Sequence, residues 1–177
     1  RVTVVDLSKG QLAGDRTAAA HYGYPVTPIQ ADMRDLSDLP AETFALVYQA
    51  ESTSYVPDVR PVYAQVHRVL RPGGLYRVSF SNPATQFGSW ESWDGEGYRL
   101  TKPYTQRVEQ DGSSMQFRHY MSEIFDGLVE TGLAIQHGED DPQYFSQANA
   151  QAAPWRSMAS PRPSRKPRPP PTSCANS

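Results

Sequence analysis

Two aspartates follow predicted strands, at positions where a carboxylate can bind a nucleoside. Asp6 ends the β-branched run that begins at Val2, and Asp32 ends the extended segment 26–31. A carboxylate after a strand can accept hydrogen bonds from both ribose hydroxyls or one from the exocyclic amine of adenine, and Met33 offers a soft apolar surface to the ring. Each acid also has a structural interpretation, Asp6 as a helix cap and Asp32 as part of a solvated turn. The surrounding pattern must decide between them.

Strand and helix patterns alternate around these acids. Ser8 is a candidate N-cap for a helix that Gly23 and Pro25 end, and a further strand is predicted over 44–48. Strands separated by helices imply parallel pairing, which would bring the loops after Asp6 and Asp32 together.

A helix beginning at a capping Asp58 is the clearest element of the chain. Its apolar residues share one face, and Pro61 falls in the first turn, where a missing N–H costs little. They are Val59, Val62, Tyr63, Val66, Val69 and Leu70. The run Pro72-Gly73-Gly74 ends this helix before a strand over 75–80.

The remainder of the ordered part has weaker signals. Positions 84–112 predict loops with an edge strand near 98–100. Ser122 is expected to cap a last helix that closes at Gly132, and 133–136 to form a last strand. The fold class is therefore α/β, with a mostly parallel sheet.

Composition divides the chain into a domain over 1–147 and a tail over 148–177. Residues 154–177 contain seven prolines, five basic residues and no acid, so this segment predicts disorder. Positions 1–153 carry a net charge of −7, which argues against nucleic acid as the main partner. The only cysteine is Cys174, no apolar run is long enough for a membrane span, and no signal peptide opens the chain. We expect a soluble, cytoplasmic protein whose translation start lies upstream of Arg1; its oligomeric state is left open.

The combined pattern resembles a known family. Val-Val-Asp-Leu-Ser, Ala-Asp-Met-Arg-Asp-Leu, Phe-Ala-Leu-Val-Tyr and the stretch His67 to Gly74 are similar to class I S-adenosylmethionine-dependent methyltransferases of type 11. The resemblance covers 2–83 well and 117–136 more loosely. It implies a Rossmann-like three-layer sandwich, S-adenosylmethionine as cofactor and no metal. The family's first strand and Gly-x-Gly-x-Gly loop are missing, so we expect them to be encoded ahead of Arg1.

The resemblance also implies the cofactor contacts. Asp6 would hold the ribose and Leu7 would flank the adenine. Asp32 and Met33 would contact the edge and the face of the same ring. Gln49 and Ala50 would line the methionine side. The implied activity is methyl transfer to a small-molecule acceptor.

Candidate acceptor-facing side chains lie after the fourth and fifth strands of the family fold, and no catalytic residue is assigned. They are Tyr55, Trp90, Trp93, Tyr98, His119 and Tyr120. Methyl transfer is an in-line displacement, so positioning supplies much of the acceleration and a base is optional. His119 is either such a base or a polar residue at the entrance to the last helix.

Two alternatives stay open. Tyr98 and Lys102 have the Tyr-x-x-x-Lys spacing of short-chain dehydrogenases, although Gly95, Gly97 and Pro103 oppose the helix on which that family carries the pair. The second alternative is a non-catalytic remnant, truncated or frame-disrupted, since a tail rich in arginine and proline is typical of a GC-rich gene read out of register.

Overall fold

The computed structural model describes residues 1–83, 86–87, 94–97 and 99–139, apart from the side chain of Asp111. Arg1–Gln136 form one compact unit. The predicted boundary at 147 and the tail over 148–177 lie outside the described residues and stay predictions. In the part of the chain described, no helix is long and apolar enough to cross a membrane.

The unit is an α/β fold. Its strands are β1 Val2–Asp6, β2 Val26–Gln30, β3 Phe44–Ala50, β4 Leu70–Ser79, β5 Val108–Asp111 and β6 Ser114–Phe117. Its α-helices are α1 Lys9–Tyr22, α2 Arg60–Val69 and α3 Met121–Glu130, and a 3-10 turn spans Ser52–Tyr55.

Parallel pairing is confirmed for both strand pairs on which the prediction rested. β1 pairs with β2, β3 pairs with β4, and β5 and β6 form an antiparallel hairpin. Leu36, Leu39 and Val69 form a buried cluster that packs against side chains of both parallel pairs. The two pairs therefore share one core. Among the described strands, β1 pairs only with β2, and β3 pairs only with β4. The family's first strand, expected ahead of Arg1, stays a prediction.

Helix α2 is the centre of the core, as its apolar face predicted. All six predicted side chains are buried, with Tyr63 completely enclosed, and Ile124 and Leu128 of α3 pack against them. The N-cap of α2 is Val59, so the cap predicted at Asp58 is wrong by one residue. Asp58 Oδ1 still accepts a hydrogen bond of 3.0 Å from the Arg60 N–H, one of the free donors of the first turn.

The Pro-Gly-Gly stretch differs from the prediction, because α2 already ends at Val69 and β4 begins at Leu70. The glycines lie where the β3–β4 register shifts from the Phe44–Leu70 pair to the Leu46–Leu75 pair. Gly73 has a φ of +73°, and a Cβ on Gly74 would lie 2.9 Å from the Arg71 carbonyl oxygen. A side chain is disfavoured at Gly73 by its backbone conformation and at Gly74 by the nearby carbonyl oxygen.

The caps of α1 are confirmed. Ser8 Oγ accepts the Gln11 N–H at 3.3 Å, and Gly23 ends the helix in the left-handed conformation with a φ of 73°. This cap fixes the point at which β1 turns into α1, immediately after Asp6.

The C-terminal region requires corrections. The N-cap of α3 is Tyr120, so the cap predicted at Ser122 is wrong. The Glu123 carboxylate accepts a hydrogen bond of 2.9 Å from the Tyr120 N–H, which gives this N-cap donor a partner.

The predicted last strand over 133–136 is also wrong, since these residues form no strand. The Leu133 N–H donates to the Leu128 carbonyl and the Gly132 N–H to the Val129 carbonyl, both at 3.0 Å. These two bonds form a Schellman closure of α3 and use the backbone of Leu133. The β5–β6 hairpin was missed, because its short polar strands carry little apolar alternation.

Candidate functional site

The loops that follow β1 and β2 lie side by side, as the parallel pairing predicted. Asp6 is the register partner of Gln30, and the Ala31 N–H donates to the Asp6 carbonyl at 3.3 Å. Gln30 Nε2 also donates to the Leu7 carbonyl at 3.1 Å. The carboxyl ends of both strands therefore form one edge, which holds Asp6 and Asp32.

The helix-capping interpretation of Asp6 is correct, and its ribose contact stays a prediction. The side chain is half-buried, and its Oδ1 accepts the Ser8 N–H at 2.7 Å, which stabilises the turn into α1. Oδ2 accepts no hydrogen bond from any side chain or backbone group in the described ranges. Leu7 is 67% exposed directly beside it. A polar acceptor and an apolar side chain are thus presented together at the tip of β1.

Asp32 forms an ion pair with Arg34. The guanidinium donates to both carboxylate oxygens, with the shortest distance 2.5 Å, and the Arg34 N–H donates to Oδ1 at 2.9 Å. These bonds to Arg34 hold the pKa of Asp32 below its usual value. The charge-cluster interpretation is therefore correct for this pair. Each carboxylate oxygen has two lone pairs and already receives two of these contacts, so a further donor must replace one of the contacts to Arg34.

Gln49 joins three elements around this edge. Its Nε2 donates to Met33 Sδ at 3.3 Å and to Ser52 Oγ at 2.9 Å, and its Oε1 accepts the hydroxyl of Tyr76. Burial raises the pKa of Tyr76 well above its usual value, so this hydroxyl stays a donor. Because all these bonds use the amide, Gln49 orients the Met33 side chain and the turn after β3.

The loop between β2 and β3, which follows Met33, is fastened to α2 by Arg68. The guanidinium donates to the carbonyls of Leu36 at 2.5 Å and Leu39 at 2.9 Å, and to Gln65 Oε1 at 3.0 Å. Since the apolar side chains of Leu36 and Leu39 are buried at the same place, this loop is held by packing and by polar contacts together.

One residue at this edge was missed by the sequence reasoning. Glu51 follows the exposed Ala50 at the end of β3, and its backbone has a φ of 55°. Its carboxylate Oε2 accepts the Ser81 hydroxyl at 3.2 Å, across the carboxyl end of β4. No local signal marks it, because a glutamate in the left-handed conformation does not follow from propensity.

The acceptor-facing candidates separate in the structure. His119 is buried, and its Nε2 lies 3.0 Å from the Thr53 carbonyl oxygen, so it ties the entrance of α3 to the 3-10 turn. Tyr120 stacks on Tyr104, with ring centroids 4.8 Å apart. Tyr55 is half-exposed in the 3-10 turn, whereas Trp90, Trp93 and Tyr98 lie outside the described residues.

A separate cleft of about 450 Å³ lies between the start of α2 and the hairpin. None of the six predicted cofactor residues lines it. Its charged side chains are already paired, since Arg107 Nη2 lies 2.6 Å from Glu123 and Arg118 donates to Glu109. These ion pairs link elements of the fold to one another. The cleft is distinct from the edge formed by β1 and β2, because its lining residues come from other elements.

The position of Lys102 argues against the dehydrogenase alternative. Lys102 lies in a segment without helix, and its Nζ donates to both carboxylate oxygens of Glu109, at 2.6 and 2.8 Å. An ammonium held in this way, away from any helix, does not match the geometry that the tyrosine–lysine pair requires.

Comparisons with known proteins show what the chain as a whole is similar to. Residues 1–78 match the family model described as a methyltransferase domain. The uncharacterized methyltransferase YbaJ of Bacillus subtilis is 25% identical over 157 residues, which are 81% of this chain and 61% of that protein. A sterol 24-C-methyltransferase of Pneumocystis carinii is 43% identical over 101 residues, 57% of this chain and 25% of its own length.

Among solved structures, an S-adenosylmethionine-dependent methyltransferase of Mesorhizobium loti superimposes with a TM-score of 0.68 at 23% identity. The match covers 84% of this chain and 73% of that one, and it shows the fold alone. The Rossmann-like α/β class expected from the sequence is thereby confirmed. The chain spans less than two thirds of the length of the curated relatives named above.

Proposed function

We propose that this chain, whose residues 1–78 match the model of the methyltransferase domain family, transfers a methyl group from S-adenosylmethionine to a small-molecule acceptor. The observation that carries the proposal is the edge formed by the carboxyl ends of β1 and β2. It presents Asp6 at the end of β1 and Asp32 just after β2, with Leu7 and Met33 beside them. Open α/β sheets bind nucleotides at this end of their strands.

The donor set of this edge fits the nucleoside half of the cofactor. Asp6 Oδ2 can accept from a ribose hydroxyl without breaking the bond between Oδ1 and Ser8. Leu7 and Met33 provide apolar surface for a flat ring, and Asp32 can accept from an amine at the ring edge where that amine replaces one of the contacts to Arg34. Gln49 and Ala50, at the end of β3, would line the methionine side.

When bound, S-adenosylmethionine supplies a methyl group activated by its sulfonium sulfur. The residues of the chain bind and orient the reactants, and such positioning can supply much of the rate acceleration of a displacement. Gln49 holds the turn after β3 through Ser52, while Arg68 holds the loop after β2. The carboxylates at this edge favour a cationic ligand electrostatically.

Calorimetry with S-adenosylhomocysteine tests the proposal. Asp6→Asn keeps an oxygen for the Ser8 N–H but removes the charged acceptor. We expect the dissociation constant to rise about ten- to a hundredfold, since a hydrogen bond to a charged group contributes roughly 1.5–3 kcal/mol. The matched control is Asp38→Asn, an exposed acid in the loop before β3, which should leave binding unchanged. Absence of saturable binding by the wild-type chain, or equal effects of both variants, would contradict the proposal.

A further inference from the structure

Glutamates with a positive φ lie on both sides of β3. Glu42, before the strand, has a φ of 50°, and Glu51, after it, has a φ of 55°. Residues other than glycine rarely adopt this conformation, and those that do are enriched at functional sites. Glu42 lies at the amino end, where its N–H donates to the Arg68 carbonyl at 2.9 Å. Only Glu51 lies at the carboxyl end, where the proposed cofactor edge is.

The conformation of Glu51 is held from three sides. Its N–H donates to the Ser79 carbonyl at 2.9 Å, and its own carbonyl accepts the Ser54 hydroxyl at 3.1 Å. The Ser81 hydroxyl donates to carboxylate Oε2 at 3.2 Å. The side chain is exposed, so these contacts direct its carboxylate across the carboxyl ends of β3 and β4 without burying it.

Methyl transfer from a sulfonium gives such a carboxylate a use. The bond between carbon and sulfur breaks, and its electron pair goes to sulfur. The lone pair of the acceptor atom forms the new bond to carbon, so a neutral acceptor becomes positively charged until it loses a proton. A fixed negative group beside the acceptor atom stabilises this charge as it develops.

We propose that Glu51, held by Ser81, forms the acceptor side of the site. It binds a small molecule that attacks through a neutral amine or hydroxyl, and its carboxylate stabilises the positive charge that develops on the acceptor atom. A methylated hydroxyl releases its proton to this carboxylate, whereas a methylated amine releases its proton to water. Glu51 is the catalytic residue and Ser81 a positioning residue. This inference rests on the proposed function, because it requires the cofactor to lie along the same edge of the sheet.

Two nucleoside probes test the inference without knowledge of the acceptor. S-Adenosylhomocysteine lacks the transferred methyl group, whereas sinefungin carries a protonated amine at that position. We expect Glu51→Gln to weaken sinefungin binding about tenfold, through loss of a charge interaction, and to leave S-adenosylhomocysteine binding unchanged. Glutamine retains an oxygen for the Ser81 hydroxyl. Ser81→Ala should weaken sinefungin binding by a smaller factor, and the control Glu42→Gln should change neither ligand.

The outcomes distinguish the two proposals. If the wild-type chain binds neither probe, the proposed function is overturned and this inference with it. If S-adenosylhomocysteine binds normally and Glu51→Gln leaves sinefungin affinity unchanged, this inference alone is overturned. An equal loss of both probes in Glu51→Gln also overturns it, because the carboxylate would then support the fold rather than the acceptor side. Thermal unfolding of each variant confirms that the comparison is made between folded proteins.

Discussion

Three tyrosine hydroxyls near the site have different environments, and removing each one tests the hydrogen-bond assignments. Tyr76 donates to Gln49, whereas the hydroxyl of the fully enclosed Tyr63 has no hydrogen-bond partner among the described residues. Burial raises the pKa of Tyr63 to about 12, so its hydroxyl stays neutral. Tyr48 lies on the face of β3 opposite to Val47, the register partner of Tyr76, and is 64% exposed. Substitution by phenylalanine keeps each ring and removes one oxygen.

The expected changes in unfolding free energy differ in sign. Tyr76→Phe loses one hydrogen bond, worth about 1 kcal/mol, and leaves the half-buried Gln49 Oε1 without its donor, so we expect a loss of about 1–2 kcal/mol. Tyr63→Phe removes a buried hydroxyl whose desolvation costs roughly 1–3 kcal/mol, so we expect a gain of about 1 kcal/mol. Tyr48→Phe should stay within about 0.5 kcal/mol of wild type.

Urea unfolding followed by far-ultraviolet circular dichroism measures these differences. Equal slopes against denaturant for all variants would show that only stability has changed. Destabilisation by Tyr63→Phe of more than about 1 kcal/mol would refute the reasoning, because it would require a hydrogen-bond partner for that hydroxyl. A neutral Tyr76→Phe would likewise refute the role of Gln49 as an oriented link to Met33.

Two further predictions concern packing and charge. A Cβ on Gly127 would lie 3.3 Å from the ring of Tyr63, whereas one on Gly14, in α1, meets nothing within 4 Å. Gly127→Ala should therefore lower the free energy of unfolding by about 1 kcal/mol, after the gain in helix propensity is included. Gly14→Ala should raise it by a similar amount, and urea unfolding measures both changes. The lowered pKa of Asp32 means that its pair with Arg34 stabilises the fold above the unfolded-state pKa and is lost as pH falls through the folded-state value. In Arg34→Gln, carboxyl NMR titration should find the pKa of Asp32 closer to its usual value, and an unchanged pKa would exclude this pair as the cause.

Local sequence signals predicted several elements with their ends. The apolar spacing of α2 identified its buried face, and Ser8 and Gly23 identified both ends of α1. The β-branched run before Asp6 identified β1. These features depend on contacts within a few residues, or on a periodicity that a single element imposes. Pattern recognition is sufficient for such features.

The C-terminal region was misjudged where distant contacts compete with local patterns. Leu133 resembles a strand residue, yet its N–H closes α3 onto Leu128. The β5–β6 hairpin is polar and short, and it is held by Arg107 and Arg118, which reach Glu123 and Glu109 from separate elements. A single-sequence pattern does not encode which charged side chains will meet across the fold.

The candidate site divides in the same way. The sequence by itself determined that Asp6 ends a strand and that Asp32 follows one, because strand propensity and the end of an apolar run are local properties. Only the tertiary structure decided what each carboxylate contacts: Asp32 is paired with Arg34, while Asp6 bonds to the following turn through one oxygen. The carboxylate of Glu51 and its bond to Ser81 also required the structure, because β3 and β4 are joined only by parallel pairing between residues far apart in the chain.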